Sequence, residues 1–177
     1  MELNQDVFDN QIILIVTSKT NYNQTLQNTL NSLKSKINQE KICYVTLNKP
    51  YNTIQNNLKN KEFPLDKFYF IDGITSTVET PEPVDNCTFI SSPSALTDLS
   101  LAFSEALKEH ECDNAIFDTI STLMVYQDIH SVIKLVHNLV TKIRVLNKKS
   151  IFLALTEDSK ELIKDLNMFV DKVIELE

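Results

Sequence analysis

The sequence predicts an α/β fold: a three-layer sandwich with a mostly parallel sheet and helices on both faces. Two observations predict it. Strand-sized apolar runs alternate with stretches whose apolar residues recur every three or four positions, the order that builds parallel sheets through helical crossovers. The runs are apolar throughout rather than at every second residue, as strands buried on both faces are. With 177 residues, 42% hydrophobic and 23% charged, the chain suits one domain, residues 1–177, with a sizeable core.

The elements follow in order. Residues 12–16 (Ile-Ile-Leu-Ile-Val) are a strand, and Tyr22, Leu26, Leu30, Leu33 and Ile37 make the apolar stripe of the helix after it. Residues 42–47 are a second strand. Pro50 suits the first turn of the next helix, with Asn48 as a cap and Ile54 and Leu58 inward. Residues 68–71 are a third strand, ending at Asp72 and Gly73. Residues 76–86 hold Pro81, Pro83, Glu79, Glu82 and Asp85 and read as an exposed loop, either a solvated connector or a docking element for a partner. A short strand at 88–90 precedes a helix opened by Ser92 and Pro93, with Leu96, Leu99, Phe103, Ala106 and Leu107 facing the core. Residues 115–117 lead into Asp118, and 119–126 fit an extended or a helical reading. A long helix spans 129–146, a strand 150–155, a short helix 158–165 and a last strand 169–176. Asp171 and Glu175 interrupt that last strand, which reads as an antiparallel edge.

Composition excludes several classes. Net charge is −7 and Arg144 is the single arginine, a poor basis for binding nucleic acid. The cations Lys142, Arg144, Lys148 and Lys149 suit the end of the long helix, where carbonyls lack partners. No apolar run approaches the roughly 18 residues of a membrane span. The start, with Glu2, Asp6 and Asp9, does not read as a signal peptide, so a cytoplasmic protein without a membrane partner is expected. Cys43, Cys87 and Cys112 are odd in number and form no CxxC pair, as expected of reduced structural thiols. The 17 asparagines suit helix ends such as Asn60 and Asn147, where other chains use glycine.

Chemistry is sparse. A carboxylate closing an apolar strand, as Asp118 does, fits either a structural cap or the Mg²⁺ side of a nucleotide site. The run Ser18-Lys19-Thr20 lacks the loop that must separate strand from lysine in a phosphate grip, and reads as a turn and helix start. The chain's one glycine, Gly73, lies elsewhere, and phosphate loops need glycines for backbone N–H groups to approach the anion. His130 and His137 sit two helical turns apart, about 10 Å of rise, too far to share a metal. The neighbours His110, Glu111, Cys112 and Asp113 mix ligand types, but loop neighbours rarely converge on one ion without more residues from elsewhere. No nucleophile elbow and no HExxH occur.

Five stretches taken together resemble a known superfamily. They are residues 12–16 with their helix, 42–51 (Ile-Cys-Tyr-Val-Thr-Leu-Asn-Lys-Pro-Tyr), 68–73 (Phe-Tyr-Phe-Ile-Asp-Gly), 115–123 (Ala-Ile-Phe-Asp-Thr-Ile-Ser-Thr-Leu) and 150–155 (Ser-Ile-Phe-Leu-Ala-Leu). In order and spacing they are similar to the RecA superfamily, closest to KaiC-like ATPases of archaea and bacteria. Archaeal members of unknown role, labelled as implicated in signal transduction, are the nearest in pattern. The resemblance implies a RecA/P-loop-NTPase-like fold. It implies that Asp118 stands where the magnesium-side aspartate stands, with Ser121 and Thr122 as the hydroxyl residues after it. Active members place one or two glutamates after the second strand, where this chain has Asn48 and Lys49, neither of which accepts a proton from water. An arginine finger has one donor, Arg144.

The resemblance therefore implies a catalytically inactive homologue without cofactor or metal, working through a protein partner. That partner is another copy, giving a homo-oligomer, or an active RecA/KaiC-like paralogue or signalling component. Lys19, Thr20, Asn48 and Asp118 are the candidates for a degenerate site. The alternative is a sensor that holds a nucleotide or small metabolite near Thr17, Asn48, Asp72 and Asp118. A third reading is an enzyme using Asp72 and Asp118.

Overall fold

The central strands are apolar on both faces because both faces are covered. The structure is a computed structural model describing residues 9–37, 39–157 and 160–176. Glu2 and Asp6, used above against a signal peptide, lie outside these residues, as does Asp158 at the expected start of the last helix.

Among the described residues there are seven strands: β1 (Ile12–Thr17), β2 (Ile42–Thr46), β3 (Phe68–Asp72), β4 (Cys87–Phe89), β5 (Asn114–Asp118), β6 (Lys149–Leu155) and β7 (Lys172–Leu176). The helices are α1 (Tyr22–Ile37), α2 (Tyr51–Asn60), α3 (Leu96–Lys108), α4 (Ile120–Tyr126), α5 (Ile129–Val145) and α6 (Lys160–Asn167). The strands form one sheet in the order β4-β3-β2-β5-β6-β1-β7. Every residue of β1, β2, β3 and β5 is buried. Helices α1 and α2 cover one face, packing Leu26, Leu30, Ile54 and Leu58 against Ile13, Tyr44, Phe70 and Ile116. Helices α3, α4, α5 and α6 cover the other, packing Phe103, Leu123, Leu139 and Leu162 against Val45, Phe117 and Phe152. Among the described residues no helix is long and apolar enough to cross a membrane.

Four expectations are corrected. The last strand is an edge, but it runs parallel to β1, as every neighbouring pair in the sheet does. Its two acids mark exposure, not direction; direction is set by α6, which carries the chain from the end of β6 back to the start of β7. Helix α3 starts at Leu96, not at Ser92. The Ser92 and Ser94 hydroxyls bond each other at 2.6 Å, and the Ala95 N–H closes a turn onto Ser92 O. Asn48 does not cap α2, whose first N–H, that of Tyr51, is taken by the Asp72 carboxylate at 2.7 Å. The left-handed residue after α2 is Glu62 (φ 59°), not Asn60. The Phe63 N–H then returns to Leu58 O, which folds the Phe63 ring over the core. Asn147 (φ 52°) does close α5 as expected, with Lys148 N–H on Ile143 O. The ambiguous segment after Asp118 is helix α4.

Candidate functional site

The carboxyl ends of β1, β2, β5 and β6 meet at one edge of the sheet. Register places Thr46 beside Asp118 and Thr17 beside Leu155. In open parallel sheets this edge is where ligands bind.

The link from β1 to α1 is four residues long, 18–21, and carries no glycine. Asn21 N–H turns back onto Ser18 O and the helix begins at once. The Lys19 N–H donates to both carboxylate oxygens of Glu157, at 3.0 and 3.3 Å. An anion from the chain's own β6–α6 connection thus meets the head of α1. That N–H holds the Glu157 carboxyl below its usual range.

Asp118 is wholly buried, and a phenol covers each of its oxygens. Tyr22 OH donates to one and Tyr44 OH to the other. Tyr44 lies opposite Ile116, two residues before Asp118, so period-two alternation puts it on the same face. Tyr22 is the first residue of α1 and reaches over the strand ends. Asn48 Nδ2 donates to its hydroxyl at 3.3 Å, and Lys49 Nζ sits 5.1 Å from its ring centroid. Burial raises the Asp118 carboxyl above its ordinary value, while the hydroxyls of Tyr22 and Tyr44, Lys49 and Asn48 pull it back. Burial, reinforced by Asp118, pushes both phenols far up. The Asp118–Thr119 peptide bond is cis.

Beside Tyr22 opens a cleft of about 350 Å³. Lys19, Tyr22, Asn48, Thr119, Ser121 and Thr122 supply its polar lining; Met124, Val125 and Leu155 supply its apolar lining. Ser121 Oγ accepts the Leu155 N–H at 2.8 Å, fastening α4 to the end of β6. Val125 and Tyr126, at the end of α4, are exposed.

Of the candidates read from sequence, Lys19 and Asn48 line this cleft and Asp118 lies sealed beneath Tyr22. Thr20 is exposed on the turn and outside the cleft. Asp72 is spent on structure: it accepts from the N–H groups of Tyr51, Ile74 and Thr75 and from the Thr75 hydroxyl. Arg144 is far from this edge, bound to Asp171 at 2.8 Å and to Phe169 O. The other cations of that cluster also have partners, Lys142 on Ser100 and Lys148 on Asp113. His110 stacks on Tyr69, His137 packs near Phe169, and all three cysteines are buried and free. No three His, Cys, Asp or Glu side chains cluster to hold a metal among the described residues.

Sequence reasoning missed Tyr22, Tyr44 and Glu157. The Tyr22 ring packs against the core, as its place on the stripe of α1 predicts; helical spacing does not show that its hydroxyl reaches Asp118. A signal existed for Tyr44, since a hydroxyl in a fully buried strand needs a partner. Glu157 carried none, because its partner is a backbone group 138 residues away.

A family of unknown function, DUF7504, matches residues 33–176, more than half of the chain. The sequence has no match among the curated proteins. Among solved structures, the chain is similar to a KaiC-like protein of the hyperthermophilic archaeon Pyrococcus horikoshii OT3. The TM-score is 0.65 at 10% identity, over 94% of this chain and 72% of that one. At that identity the likeness shows the fold, a RecA-like α/β sandwich.

Proposed function

The chain belongs to the DUF7504 family, whose function is unknown, and we propose that it is a RecA-type domain that does not hydrolyse ATP and acts as a protein-interaction module in regulation or signal transduction. The observation that carries this reading is the Tyr22 phenol on Asp118. A RecA-type ATPase needs that carboxylate for hydrated Mg²⁺ and the head of α1 for phosphates. Here a phenol occupies each carboxylate oxygen, and the Glu157 carboxylate takes the Lys19 N–H. These residues do not fit a magnesium nucleotide. Asn48 and Lys49 supply no base for water. Losing one oriented donor of such a site costs roughly 10²-fold or more, and several are absent together.

Support for a protein partner comes from the same edge, where Val125 and Tyr126 stand in solvent beside the cleft. The partner is a second copy or an active RecA/KaiC-like paralogue. Purified protein with Mg²⁺ and ATP is expected to release no phosphate above the protein-free rate, and its melting temperature should not move with ATP or ADP. Light scattering should find an assembly larger than the monomer, alone or after adding the paralogue. Phosphate release abolished by Asp118→Asn would overturn the inactive reading; a strict monomer with no partner would count against the interaction reading.

One observation favours a second reading, a sensor without hydrolysis. The cleft beside Tyr22 is open, sits at the ligand-binding edge of the sheet and has the size of a small-molecule site.

A further inference from the structure

We infer that the cleft beside Tyr22 takes a small, singly charged carboxylate carried on an apolar body; this rests on the sensor reading and names its ligand class. Among the described residues the cleft has one charged lining residue, Lys19. No ion pair within 4.0 Å engages the Lys19 ammonium among the described residues. Among the described residues two acids lie close by. Asp118 is sealed beneath Tyr22, while Glu157 holds the Lys19 backbone N–H and its charge offsets one of the two lysines at this edge, Lys19 and Lys49, leaving a single positive charge for a ligand. The hydroxyls of Thr119 and Thr122 stand 3.5 Å apart, a weak mutual contact that leaves both able to donate to a ligand oxygen.

Charge limits the ligand to one negative charge. Lys19 and Lys49 face this edge against the Glu157 carboxylate, too little to hold a phosphate chain without the backbone groups that normally cradle it. Size and polarity set the rest. At about 350 Å³ the space is at the low end of small-molecule sites, roughly 300–1,000 Å³. Its apolar lining, supplied by Met124, Val125 and Leu155, rewards a short aliphatic or aromatic group.

The test is titration of the ¹⁵N-labelled full chain with benzoate and hexanoate, and with their neutral counterparts benzamide and hexanamide. The amide signals of Lys19 and residues 119–125 report the site, and the spectrum itself shows that the protein is folded. Both carboxylates are expected to shift these signals, with the neutral amides binding about tenfold more weakly. Lys19→Met should abolish that preference while leaving the amides' binding unchanged. Equal binding of carboxylate and amide would overturn the inference and leave the sensor reading standing. If no probe, and no magnesium nucleotide, shifts signals at the cleft, both fall. Shifts from magnesium ATP alone would overturn the carboxylate and keep a sensor of another kind.

Discussion

Tyr22, Tyr44 and Asp118 solve one another's burial. Phenol hydroxyls out of water need acceptors and a carboxylate needs donors, and each oxygen of Asp118 meets one. Tyr22→Phe deletes one donor and leaves the ring in place, so urea unfolding should show a loss of about 1–3 kcal/mol. Asp118→Asn tests the same cluster from the other side. Burial raises the Asp118 carboxyl, so the native chain holds that proton more tightly than the unfolded one. The stability this gives is present below the ordinary carboxylate value and is lost as pH rises through the raised native value. The asparagine variant lacks that fall, so its urea midpoint relative to the parent should climb from acid to neutral pH. At this scale sequence reached Asp118, because a charge ending an apolar run stands out. It did not reach Tyr22, because a tyrosine at helical spacing from leucines looks like any core residue until the strand beneath it is known.

Among the elements, β7 depends on a polar clamp at its start. Asp171 accepts the Ile12 N–H at 2.9 Å and the Arg144 guanidinium at 2.8 Å, joining β7, β1 and the end of α5. Burial opposes its charge, yet Arg144 and that N–H prevail and hold the carboxyl below its usual range. Its stabilisation is therefore present above the ordinary carboxylate value and is lost as pH falls through the depressed one. Asp171→Ala should cost about 1–2 kcal/mol at neutral pH and less in acid, where the neutral carboxyl keeps the Ile12 N–H but loses its ion pair with Arg144, with faster hydrogen exchange in β1 and β7. Sequence took Asp171 for a mark of an exposed edge, because the clamp joins residues 159 positions apart. Strands and helix faces were legible from periodicity, since burial on both sides of a sheet keeps most of each strand apolar and confines its polar residues largely to the strand ends. Helix starts were not: serines at 92 and 94 satisfy one another, and α2 borrows its cap from Asp72.

For the whole molecule, the alternation of elements announced a layered α/β sandwich, but not the order of the strands. Nothing local says that β2 sits beside β5 or that the chain's first strand lies between its last two. The site depends on that order, since Asp118 meets Tyr22 and Tyr44 only when β5 enters beside β2. A chain ending at residue 147 should show no cooperative unfolding transition by circular dichroism, because β1 then has no neighbour in the sheet. The same order bears on birth. During synthesis at about 5–20 residues per second, β1 leaves the ribosome on the order of ten seconds before its partners exist. For that interval a bare Ile-Ile-Leu-Ile-Val segment is presented to the cell, and a holding chaperone would be expected to find its client there.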